Sequence, residues 1–94
     1  MGAANMTAQA QHCGKTFMFN TDAADRTLTL PPAALCKYGR ITAQKTTNDS
    51  TNELIIDGDG SETINNITTA STTTAYGNIV VESDGTEWFI HSSL

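Results

Sequence analysis

Apolar residues recur at every second position in short runs, and no stretch of the chain sustains a helical period. Thr16–Asn20 sets Phe17 and Phe19 on one face and Met18 on the other. Arg26–Leu30 alternates Leu28 and Leu30 with Thr27 and Thr29, and Pro31-Pro32 ends that strand because neither residue donates to a ladder. Pro32–Cys36 has room for one helical turn, limited by Gly39. Tyr38–Thr46 places Ile41 and Ala43 opposite Arg40, Thr42 and Gln44. Glu53–Asp57 has an unbroken apolar centre, Leu54-Ile55-Ile56, which predicts a strand covered on both faces. Glu62–Thr68 is a weaker strand carrying Ile64 and Ile67, whereas Ala70–Ala75 is Thr-rich and offers no core residue larger than Ala. Turn residues separate these runs at Asn20–Asp25, Thr47–Asn52 and Asp57-Gly58-Asp59-Gly60.

The most legible element is a hairpin over Gly77–Ile90, turning at Asp84-Gly85. A two-residue type I′ turn there pairs Val81 with Trp88 and Ile79 with Ile90 on the core face. The other face then pairs Glu82 with Glu87, Val80 with Phe89, and Asn78 with His91. Opposed carboxylates cost stability unless well solvated, and solvation is the expected reason they are tolerated. Val80 and Phe89 form a small apolar patch better buried than left wet, either as a second core layer under a loop or as a subunit contact. The pattern as a whole predicts an all-β fold, a small antiparallel β-sandwich or barrel of about seven short strands with a C-terminal hairpin.

With 94 residues, there is room for one core. Residues 1–14 are small, polar and aperiodic, and read as a flexible N-terminal arm or extended strap; residues 15–94 form the single β domain. Sixteen threonines reinforce the β reading, since β-branched side chains sit well on a pleated surface. The net charge of −5 is unevenly distributed: Lys15, Arg26, Lys37, Arg40 and Lys45 all precede Thr46, and eight carboxylates follow it. Nucleic acid is not expected as a partner, because phosphate neutralisation needs clustered cations, and the same argument applies to an anionic membrane. The asymmetry allows a basic edge (Lys15, Arg26, Arg40) to meet an acidic edge of a neighbour, or else vanishes as the halves mix within one fold. Neither a signal peptide nor a transmembrane run is visible.

Catalytic constellations are missing from the pattern. His12 and His91 lie in no nucleophile or metal motif, and Cys13, Cys36 and the two histidines match no zinc spacing. The two cysteines permit one disulfide without establishing it. Asp57–Glu62 invites a calcium reading but lacks the third acidic ligand and the spaced glutamate, so it reads as a turn. Trp88, on the core face of the hairpin, is poorly placed to form a sugar platform with Tyr76. No enzyme activity, cofactor or metal is expected.

Five segments carry a family resemblance: Cys-Gly-Lys-Thr-Phe (13–17), Arg-Thr-Leu-Thr-Leu-Pro-Pro-Ala (26–33), Ile-Thr-Ala-Gln-Lys (41–45), Leu-Ile-Ile-Asp-Gly-Asp-Gly-Ser-Glu-Thr-Ile (54–64) and Ile-Val-Val-Glu-Ser-Asp-Gly-Thr-Glu-Trp-Phe-Ile (79–90). Over residues 13–91 the chain resembles a small β module of tailed-bacteriophage capsid decoration (cement) proteins, also found in tail-fibre and baseplate proteins. A free-standing chain of this length is more similar to the decoration proteins. That resemblance implies homotrimers on the outer capsid surface of the virion, made in the bacterial host cytoplasm, binding the major capsid protein and clamping the coat lattice. The alternative is a tail-fibre or baseplate-associated receptor- or glycan-binding module. Candidate interface residues are Val80, Phe89, Glu82, Glu87, Lys15, Arg26 and Arg40.

Overall fold

Residues 5–93 are described by a computed structural model. Eight strands form in chain order: β1 (Met6–Thr7), β2 (Thr16–Phe19), β3 (Arg26–Thr29), β4 (Arg40–Lys45), β5 (Leu54–Asp57), β6 (Thr69–Thr72), β7 (Asn78–Ser83) and β8 (Trp88–Ser93). Short 3-10 turns occupy Ala10–His12 and Ala33–Cys36. The strands divide into two four-stranded sheets, ordered β1-β3-β5-β6 and β2-β4-β7-β8. The β-rich class agrees with the alternating pattern; the antiparallel sandwich or barrel does not. Pairs β1/β3, β2/β4 and β3/β5 are parallel, and only β4/β7, β5/β6 and β7/β8 are antiparallel.

The parallel pairs arise because the first five strands alternate between the sheets. Parallel neighbours need a long crossover, and here each crossover carries a strand of the opposite sheet instead of a helix. Alternation then places Phe17 and Phe19 of β2, Ile41 and Ala43 of β4, and Leu28, Leu54 and Ile56 of β3 and β5 in one shared core. Ile55 is only half-buried, so β5 is covered fully on one face and not on both.

Glu62–Thr68 does not form the expected strand. Asn65 and Asn66 adopt left-handed backbone (φ 51° and 67°), which asparagine tolerates better than most residues. The chain doubles back so that Ile64 and Ile67 bond each other's backbone. Ile64 is buried and Ile67 exposed. The strand lies later, in the Thr-rich stretch, where Ala70 sits opposite Ile56.

The hairpin also differs from expectation. Ser83 pairs with Trp88, Glu82 with Phe89 and Val81 with Ile90, a slip of two residues from a two-residue turn. Residues 84–87 form the loop, held by Asp84 Oδ1, which accepts from the Thr86 and Glu87 amides at 2.8 and 3.0 Å. Those amides hold the Asp84 carboxyl below its usual range. Because side chains alternate with period two, a two-residue slip keeps every residue on its face. Trp88 is therefore fully buried, as the pattern required, and its Nε1 donates to the Pro31 carbonyl at 3.3 Å. Glu82 and Glu87 no longer face each other. The register then shifts between Val81↔Ile90 and Val80↔Ser92, leaving His91 as the extra residue on β8.

From residue 5 onward the N-terminal segment is a strap and not a flexible arm. It pairs with β3, buries Ala8 and is bonded through a Cys13–Cys36 disulfide. Residues 1–4 of the expected arm lie outside the described residues.

Lys45 is the least expected core member, since it continues the inward face of Ile41 and Ala43. Its Nζ meets the carbonyls of Asp49, Asn52 and Thr73 at 3.0–3.1 Å and Asp49 Oδ2 at 3.3 Å. Asp49 Oδ1 accepts from the hydroxyls of Thr21 (2.7 Å) and Thr47 (2.6 Å), and its carboxyl is held far below the usual range, Thr47 contributing most and Thr21 next. Replacing Lys45 with Met should destabilise the fold by about 3 kcal/mol, because it strands buried acceptors; chemical denaturation measures this. Asp49→Asn should lower the Tm at neutral pH. A depressed carboxyl contributes stability that is present above its unfolded value and lost as pH falls through the folded one, so the gap to wild type should narrow below about pH 4.

Candidate functional site

Opposite the core, the β2-β4-β7-β8 sheet presents a face on which side chains of three neighbouring strands line up. Arg40 of β4 pairs across the ladder with Glu82 of β7, and Glu82 with Phe89 of β8. Arg40 Nε donates to Glu82 Oε1 at 2.9 Å, and His91 Nδ1 lies 3.7 Å from the same oxygen. Glu82 and Phe89, together with Tyr38, Ser83, Asp84 and Ile90, line a depression of about 240 Å³. His91, two residues beyond Phe89 on β8, lines the same depression.

Tyr38 forms its outer wall. It follows the Ala33–Cys36 turn in left-handed backbone (φ 62°) and donates its amide to the Ser83 carbonyl at 2.7 Å. A bulky residue in that region is strained, by roughly 1–2 kcal/mol relative to Gly. Yet its ring is 72% exposed and so gains little from burial, with Lys37 Nζ 5.2 Å from its centroid. Phe89 is 43% exposed across the depression. The hairpin loop leans on the same support: Gly85 (φ 97°) lies so near the Lys37 stem that a Cβ would approach Lys37 Cδ to 2.9 Å. Two exposed aromatic rings, one on β8 and one just before β4, thus line the depression together with Glu82.

The sequence-derived candidates divide. Arg40, Glu82 and Phe89 share one row, and Val80 is half-buried in the next, between Thr42 and Ser92. Lys15 precedes β2, and its carbonyl accepts from Thr42, which places it beside the Arg40 end of the face. Arg26 belongs to the other sheet, where its Nε donates to the Asn20 carbonyl at 3.1 Å. Glu87 lies in the hairpin loop with its amide committed to Asp84. Arg40 and Lys45 pair with Glu82 and Asp49, so the basic and acidic halves mix within the fold. Sequence reasoning passed over Tyr38 and His91. A Tyr before Gly39 carries no mark of left-handed backbone, and alternation put His91 on the outer face but opposite Asn78, with nothing to mark it as a neighbour of Glu82. The cysteines, bonded to each other, supply no thiolate ligand.

The chain matches no protein-family model and no curated protein.

Because Tyr38 holds a strained backbone with little burial in return, Tyr38→Gly should stabilise the isolated domain by about 1 kcal/mol, read as a rise in Tm of several degrees. A fall in Tm would show that the ring contributes to folding and is not held for contact with something else.

Proposed function

We propose that the protein is a non-enzymatic structural protein of a tailed-phage virion, a decoration module that seats on the outer capsid surface as a trimer and stabilises the coat lattice. The reading rests on the resemblance over residues 13–91 and, in the structure, on one observation: Tyr38 and Phe89 stand exposed about a depression that Glu82, the ion-pair partner of Arg40, also lines. Aromatic anchors beside a charged pair are what a protein–protein contact uses, the rings supplying buried area and the ions fixing register. A ligand that binds only the assembled shell stabilises it by mass action. The coat protein is the partner proposed for this face.

The depression also favours a second reading. A concave site with two aromatic walls and polar groups from Glu82 and His91 fits a sugar ring, as in a tail-associated receptor-binding module.

Purified protein added to expanded capsids of its own phage should bind and raise their melting temperature. Phe89→Asp should weaken that binding at least tenfold while shifting the Tm of the isolated domain by no more than a few degrees, since Phe89 is partly exposed. Absence of wild-type binding together with a specific hit on a glycan array would replace the capsid reading with the receptor reading.

A further inference from the structure

The strap over residues 5–13 closes the β1-β3-β5-β6 sheet at one edge. Its pairing with β3 is brief: Met6 opposes Leu28 and Thr7 opposes Thr29. Flanking that pair, Thr27 donates its amide to Asn5 Oδ1 at 2.9 Å, and Ala8 donates its amide to the Thr29 carbonyl at 2.8 Å. Ala8 drops into the core, and His12 meets the Phe17 ring edge-on at 5.2 Å. These few contacts must offset the ordering of the whole segment. The disulfide from Cys13 to Cys36 changes that balance, because it ties the far end of the segment to the turn before β4 and keeps the strand close to its edge. Next to Cys13 stands Gly14, in left-handed backbone (φ 84°), its amide bonded to the Arg40 carbonyl at 2.6 Å, so the chain is anchored just beyond the bridge and the strap ends there.

We propose that reduction of Cys13–Cys36 releases residues 5–13 and opens the edge of β3 to the same segment of a second copy. With the strap gone, β3 becomes an outer strand, the amide of Thr27 and the carbonyl of Thr29 lose their partners, and the socket of Ala8 empties. The segment that fits that edge is the one whose register it already holds, so the occupant is another molecule's Asn5–Ala8, as in strand exchange. Charge does not oppose it: residues 5–13 carry no Asp, Glu, Lys or Arg despite the net charge of −5. Each copy then completes its sheet with a strand from its neighbour. The exchange does not depend on the virion reading.

The test uses the full chain, oxidised, then treated with excess dithiothreitol. The dithiol passes two electrons to the bridge, two protons end on the Cys13 and Cys36 sulfurs, and the reagent leaves as its cyclic disulfide. Hydrogen exchange at the Ala8 and Thr27 amides should accelerate about tenfold or more, and light scattering should show molar mass at least doubling as concentration rises. Gentle reoxidation should trap a covalent dimer joining Cys13 to the partner's Cys36, identified by peptide mapping. Cys13→Ser with Cys36→Ser should oligomerise without reductant, and Ala8→Pro, which removes the amide that bonds Thr29, should not. A reduced protein that stays monomeric, whether its strap opens or remains protected, overturns the proposal. So does a reduced chain that circular dichroism shows to be unfolded, or an oligomer that survives Ala8→Pro.

Discussion

A single buried ammonium fixes how the segments at one end of the molecule lie together. Lys45 Nζ has given up water for three carbonyls and one carboxylate oxygen drawn from two separate stretches, the loop after β4 and the residue following β6. Burial of a charge is costly unless it is paired and fully hydrogen-bonded, so these segments have little freedom once the lysine is inside. Asp49 extends the constraint to Thr21 after β2, and Asn52 Nδ2 adds a bond to the Thr21 carbonyl at 2.6 Å. The loop over residues 46–53 is polar in sequence yet held as firmly as a strand.

At the other end, apolar burial and backbone bonds act in place of a buried charge. Trp88 reaches from β8 to Pro31, Ser83 Oγ donates to the Ala33 carbonyl at 2.7 Å, and Glu62 accepts from the Ala33 amide at 2.9 Å. The short turn at Ala33–Cys36 is therefore gripped from three sides, which is what holds Tyr38 in its strained conformation just beyond it. The exposed ring is a product of how tightly its neighbours are fixed.

Much of this was legible in the sequence, and the limits have physical reasons. Alternation located β2, β3, β4 and the two hairpin strands and named their inward residues, because the pleat enforces a period of two. It gave Trp88 to the core even with the turn miscounted, since a slip of two residues preserves parity. Strand direction was not legible: a parallel and an antiparallel neighbour bury the same residues. Lys45 was missed because its hydrogen-bond partners are mostly backbone carbonyls, which leave no trace in side-chain pattern. The segment around Ile64 and Ile67 misled because isoleucine favours strands, although a spacing of three sets the two on opposite faces of one, and left-handed Asn65 and Asn66 fold them into a turn. For the candidate site, Arg40, Glu82 and Phe89 came from the hairpin and strand patterns, which also gave His91 its face but not its partner, whereas Tyr38 depends on a left-handed backbone.

The winding of the first five strands has a consequence for how the molecule is made. Each early strand pairs with one that lies well beyond it: Met6 waits for Leu28, Thr16 for Thr42, and Arg26 for Leu54. β4 then needs β7, and Lys45 needs Thr73. Among the described residues, β5 with β6 and β7 with β8 are the antiparallel pairs between consecutive strands. Non-local pairing slows folding because loop closure must precede contact. The winding therefore asks the chain to close several long loops before its apolar strands are all paired, and β7 follows β2 and β4 in chain order, as the neighbour that β4 meets on the side away from β2.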